Sequence, residues 1–120
     1  MEPPSPSESD RTWAAVAHLA PLVGYLFLIG QILLPLAILL WGPKSAFVQS
    51  HAKESLNGQI SYTIYGLVLL LLAFTIVGVV IALPLGLLLL VLALWNMVMG
   101  ALAAGRWERY SYALILRLVP

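Results

Sequence analysis

Cysteine is absent from the 120 residues, which excludes disulfides, thiolate metal sites and thiol nucleophiles and removes any report of a redox compartment. Charge is nearly as scarce. Only 9% of the residues are charged, against about a quarter in a soluble domain, while 62% are hydrophobic. Six basic and five acidic side chains leave a net charge of +1, too small and too scattered for the footprint of a nucleic-acid binder. A basic start is missing as well. The first eleven residues, MEPPSPSESDR, are acidic and rich in proline and serine, unlike a secretory signal, so the first apolar segment reads as a retained anchor.

What remains is the composition of an all-α integral membrane protein, a bundle of about four hydrophobic helices, since this length holds at most about four spans of roughly 20 residues. Residues 1–11 cannot bury enough apolar area to offset ordering entropy and are expected to form a disordered tail. Residues 12–120 then form a single transmembrane domain. Thr12 to Gly42 carries no charge and would reach about 46 Å as one helix, longer than the roughly 30 Å hydrocarbon core. A break at Gly30 and Gln31 divides it into arms Trp13 to Ile29 and Ile32 to Trp41, either a short hairpin or a re-entrant pair; one long tilted span is the alternative. Ile60 to Ala104 is again uncharged and holds two spans, with the turn expected near Pro84. The third helix is thus predicted from about Ser50 to Ile81 and the fourth from Leu85 to Ala104.

Lys44, Lys53, Arg106, Arg109 and Arg117 flank these spans, so the positive-inside rule places loop 43–55 and the C-terminus in the cytoplasm of a bacterial inner membrane. A hairpin would bring Trp13, Trp41 and Trp107 to that same interface, which favours it over the single span. The tail YSYALILRLVP is expected to lie along the headgroup layer with Arg117 reaching water, these four residues acting as interfacial anchors.

The polar run FVQSHAKESLNGQISYTIY holds most of the reactive side chains. On a helix, His51, Glu54, Ser55, Gly58, Ser61, Tyr62 and Tyr65 share one side, and Leu56, Ile60 and Ile64 the other, which should meet lipid. The candidate contact or pathway residues are His51, Lys53, Glu54, Asn57, Gln59, Ser61, Tyr62 and Tyr65. His18, Gln31 and Asn96 are polar positions of the bundle interior, with Asn96, Gly100 and Ala104 spaced for close helix approach. The bland reading pairs His51 and Glu54 with each other or with Lys53. No HExxH-like spacing, nucleophile elbow or triad order is legible, so no catalytic residue, metal site or cofactor is assigned.

Three segments carry a family resemblance: AHLAPLVGY, GPKSAFVQSHAKESLNGQISYTIY and GRWERYSYALILRLV. Over residues 13–119 the chain resembles the Tic-twenty-like family, small bacterial membrane proteins of unknown function related to a chloroplast inner-envelope import component. That resemblance singles out His51, Lys53, Glu54, Leu56, Asn57, Gln59, Ile60 and Arg117, with departures at Gln49 and Ser50, Gly58 and Ala113. It implies four hydrophobic helices with both ends cytoplasmic and, from the plant relative, a place beside a protein-conducting channel.

The expectation is therefore a non-enzymatic assembly or accessory subunit that uses the cytoplasmic loop and the His51 to Tyr65 face as its contact surface, its partners being the bilayer and a second copy or another membrane protein. The alternative is an oligomeric channel or transporter lined by His51, Glu54, Asn57, Ser61 and Tyr65. A third reading is a lipid enzyme with His51 as base and Ser55 or Ser61 as nucleophile.

Overall fold

The computed structural model describes residues 5–27 and 29–120. Its first helix, α1 (Glu8–Gly24), begins inside the stretch assigned to a disordered tail, whose residues 1–4 lie outside the described ones. The cause is a capping box. Ser7 Oγ accepts from the Asp10 amide at 3.1 Å, and the Asp10 carboxylate accepts from the Ser7 amide at 3.2 Å. The acidic groups that make the tail look unfoldable are favourable in a first helical turn.

A short 3₁₀ turn, Tyr25–Phe27, leads to α2 (Gly30–Trp41), so α1 stops earlier than the break expected at Gly30. Gly24 and Gly30 meet backbone to backbone, and a Cβ on either would overlap the other. Ser45 caps α3 (Ala46–Ala73), its Oγ accepting from the Val48 amide at 3.1 Å. The last helix is α4 (Ile76–Gly105).

The turn between α3 and α4 therefore falls at Phe74 and Thr75, not near Pro84, which sits inside α4. Thr75 decides this. Its Oγ1 donates to Leu72 O at 2.9 Å and accepts from the Gly78 amide at 2.8 Å, joining the end of one helix to the start of the next. A proline inside a membrane helix is tolerated where neighbouring groups adjust, so Pro84 does not force a break.

The described residues contain four α-helices and no strand, in agreement with the all-α expectation. Among the described residues only α3 and α4 are long and apolar enough to cross a membrane. At 1.5 Å per residue α1 and α2 reach about 25 and 18 Å, short of a roughly 30 Å hydrocarbon core. They form an antiparallel hairpin against one half of α3, where the Tyr25 hydroxyl at the tip donates to Gln59 Oε1 at 2.5 Å. The molecule measures 59 × 23 × 23 Å. Its other half is α3 and α4 alone.

This wrapping changes what the apolar side of α3 meets. Leu56, expected to face lipid, is buried under the hairpin half, whereas Ile64 beyond it is exposed.

Candidate functional site

Residues 106–120 form no helix or strand, so their amides and carbonyls need partners other than a helix's own ladder, a severe demand in apolar surroundings. Side chains of α3 and α4 meet it. The tail descends from Glu108, turns at Leu114 and climbs back, contacting α3 one turn after another. Glu54 Oε1 accepts from the Tyr112 amide at 2.5 Å and from Arg117 Nη2 at 2.7 Å. Asn57 pairs both ways with Val119, at 2.8 and 2.9 Å. Ser61 Oγ accepts from the Leu116 amide at 2.8 Å, and the Tyr65 hydroxyl donates to Leu114 O at 2.8 Å. From α4, Asn96 meets both backbone groups of Ala113 at 3.3 Å.

The tail thus follows α3 and α4, where a course along the headgroup layer had been expected. Arg117 turns to Glu54 and to Tyr112 O. Two left-handed residues allow the path: Trp107 (φ 64°) at its start and Leu114 (φ 58°) at its tip.

A second set of bonds crosses the bundle. His18 Nδ1 lies 2.6 Å from the Tyr112 hydroxyl, His18 Nε2 lies 2.7 Å from His51 Nδ1, and His51 Nε2 lies 2.9 Å from Glu108 O. With neutral rings, the carbonyl at one end assigns every proton. His51 Nε2–H donates to Glu108 O, His18 Nε2–H donates to His51 Nδ1, and the Tyr112 hydroxyl donates to His18 Nδ1. Both imidazoles are fully committed, and α1, α3 and the tail are tied at one point.

Space for these rings comes from glycine. A Cβ at Gly58 would overlap the Tyr112 ring, and one at Gly100 would stand 2.5 Å from His18 Nδ1. The Asn96, Gly100 and Ala104 spacing on α4 thus receives a histidine of α1 at its centre.

The structure brings His51, Glu54, Asn57, Ser61, Tyr62 and Tyr65 to the tail or its aromatic cluster, but does not pair His51 or Glu54 with each other or with Lys53. Lys53 is half-buried and makes no ion pair among the described residues. Tyr62 accepts from Asn96 Nδ2 at 2.8 Å. Gln59 bonds Tyr25 through its oxygen, and its nitrogen, like the oxygen of buried Gln31, has no partner among the described residues. Trp13 and Trp41 line a shallow groove between α1 and α2. Ser55 Oγ donates to Ala17 O at 2.6 Å and Ser61 Oγ to Asn57 O at 2.8 Å, so neither faces a general base.

Among the described residues no three His, Asp or Glu side chains gather as metal ligands. The groups assigned to a path are bonded to the chain's own tail. Tyr112 is the residue that sequence reasoning left in a tail along the headgroup layer, although it joins Glu54, His18 and Gly58. The signal available was a tyrosine pair, Tyr110 and Tyr112, in a segment too short and too apolar to stand in water.

No curated protein and no solved structure matches the chain. The family comparison overturns the Tic-twenty-like resemblance, because the three segments that carried it fall within a match to a different family. With it goes the import-component analogy that supported a channel. The match runs over residues 9–119, helices and tail together, and by it the chain belongs to MamF/MmsF, the magnetosome magnetite crystal formation protein family.

Proposed function

We propose that this chain is a multi-pass membrane protein that takes part in magnetite crystal formation as a non-enzymatic accessory component. The observation that carries the reading is the extent of the family match, from the second residue of α1 to the penultimate residue of the chain. The site chemistry supports its non-enzymatic part: both nitrogens of His51 are engaged, and the nearby serines bond backbone carbonyls.

The His51 to Tyr65 face then acts inward, as the seat of the tail, and shapes one end of the molecule. All described charged groups belong to that end: the start of α1, the α2–α3 loop, the first turns of α3, and the tail. By the positive-inside rule it is cytoplasmic, and α1 and α2 enter and leave from it as a re-entrant pair. The opposite end, Phe74 to Ile76, offers one side-chain hydroxyl, that of Thr75, already bonded on both sides. Such an end has little to hold a mineral surface. The chain therefore acts on crystal formation through a second copy or another membrane protein met at the charged end.

In a magnetite-forming bacterium, removing the chain shifts the crystal size distribution seen by electron microscopy, and re-expression restores it; crystals unaffected by its removal would sink this reading. The lack of cysteine makes orientation easy to test. An impermeant maleimide added to intact spheroplasts labels Ile76→Cys and spares Arg106→Cys if the charged end is cytoplasmic.

A further inference from the structure

The charged end holds a cleft of about 400 Å³ between Pro6 ahead of α1, the start of α3 and the turn that leaves α4. Lys44 and Arg109 line it together with Ser45, Phe47 and Trp107. Among the described residues Arg109 makes no ion pair, and Glu108 beside it is balanced by Arg106 at 3.6 Å. Lys44 Nζ donates to Leu39 O and Leu40 O at 3.3 and 2.5 Å, which leaves its third proton unassigned. Among the described residues, two cations therefore meet in one cleft with no opposing carboxylate on its lining.

The aromatic wall is fixed in place. Trp107 holds a left-handed backbone, a place glycine usually takes after a helix, with its amide and that of Glu108 bonded to Ala104 O and Ala103 O. Its ring rests on Phe47, centroids 5.9 Å apart, and the Arg11 guanidinium carbon lies over the Trp107 ring, 5.4 Å from its centroid. Tryptophan beside lysine and arginine, where an apolar bundle gives way to its charged end, is the chemistry of the headgroup layer. Basic pockets between membrane helices take anionic headgroups.

We infer that the cleft lined by Lys44, Arg109, Phe47 and Trp107 binds a phosphate group, that of an anionic phospholipid headgroup or of free phosphate. The guanidinium of Arg109 offers a fork to two phosphate oxygens, Lys44 adds a point charge, and the start of α3 contributes partial positive charge behind them. The aromatic wall packs against the glycerol or the upper acyl chain of a lipid.

The test is native mass spectrometry of the full chain in detergent with phosphatidylglycerol or phosphatidylcholine added, beside thermal unfolding in lipid-free detergent with inorganic phosphate. Phosphatidylglycerol adducts are retained in preference to phosphatidylcholine, and Lys44→Gln with Arg109→Gln lowers their retention roughly tenfold. Arg109→Gln alone lowers it less, and serves if loss of the Lys44 contacts to α2 disturbs the fold. Lys53→Gln, outside the cleft, leaves retention unchanged. Stabilisation by inorganic phosphate that Arg109→Gln abolishes, with no lipid preference, assigns the cleft to free phosphate. Equal retention by wild type and the double variant together with no phosphate effect, or an equal loss in Lys53→Gln, overturns the inference.

Discussion

The two halves of this bundle are held by different physics. In the half wrapped by the α1–α2 hairpin and the tail, His18, Ser55, Gln59, Ser61 and Asn96 are fully buried, and nearly all their polar atoms are bonded. In the other half α3 and α4 stand alone. Around their turn only Gly78 and Ala82 are buried, while Phe74 and Ile76 are 82% and 93% exposed. Apolar surface so open belongs in lipid, where association relies on close packing of small residues rather than on a hydrophobic drive. Polar residues thus specify the wrapped half, because each hydrogen bond has few alternatives. The paired half asks only for apolar bulk outside and small side chains between its helices.

The sharpest way to break this contrast is to fill a space the wrapped half needs. Gly58→Leu would evict the Tyr112 ring, and with it the bonds to His18 and Glu54, costing about 4 kcal/mol from lost ring burial, overpacking and unmet polar groups. Reversible unfolding in mixed micelles measures it; wild-type stability would mean Tyr112 does not sit there. Next is Glu54→Ala, which strands the Tyr112 amide and the Arg117 guanidinium at a cost of about 2–3 kcal/mol. Glu54→Gln keeps an acceptor for Tyr112 and loses only the charge. Since Arg117 is about half exposed, this loss is about 1 kcal/mol or less. Hydrogen exchange over residues 110–119 separates the two variants, being fast in Glu54→Ala and near wild type in Glu54→Gln.

What the sequence made legible follows the same division. Uncharged runs and helical period were enough for the all-α class and for a polar side on α3, because both are local properties of a helix. The first break was found to within a few residues from Gly30. The α3–α4 turn was misplaced because Pro84 is the louder breaker, although Thr75 with Gly78 three residues on carries the cap. The partner of the polar side was missed for a different reason. Glu54, Asn57 and Ser61 are satisfied by residues 55 to 63 positions away, and spacing along one helix cannot report such partners. The three segments that carry the Tic-twenty-like resemblance include this same polar block, whose residue types state a need for hydrogen bonds and not their purpose.

Smaller effects belong to the paired half, where the one polar device is the cap. Thr75→Ala removes the oxygen that receives the Gly78 amide and gives back to Leu72 O, costing about 1 kcal/mol. Thr75→Ser keeps both bonds and stays close to wild type. Faster hydrogen exchange confined to the first turn of α4 marks the loss, and spread into residues 110–119 would show that the halves are coupled after all.

The smallest expected effect sharpens the comparison most. Val80 on α4 is 72% exposed, so Val80→Leu adds a methylene to surface that already faces acyl chains. Lipid tails are as apolar as leucine, and the change stays within about 0.5 kcal/mol. Ala82, two residues on and 7% exposed, faces the partner helix instead, and Ala82→Leu drives α3 and α4 apart. Measured together in micelles, a silent Val80→Leu and a destabilising Ala82→Leu would mean that the paired half is read by lipid on one side and by a single close helix contact on the other. Equal costs would mean that the exposed side of α4 is itself covered, by a second copy or another membrane protein, and the contact surface would then extend beyond the charged end.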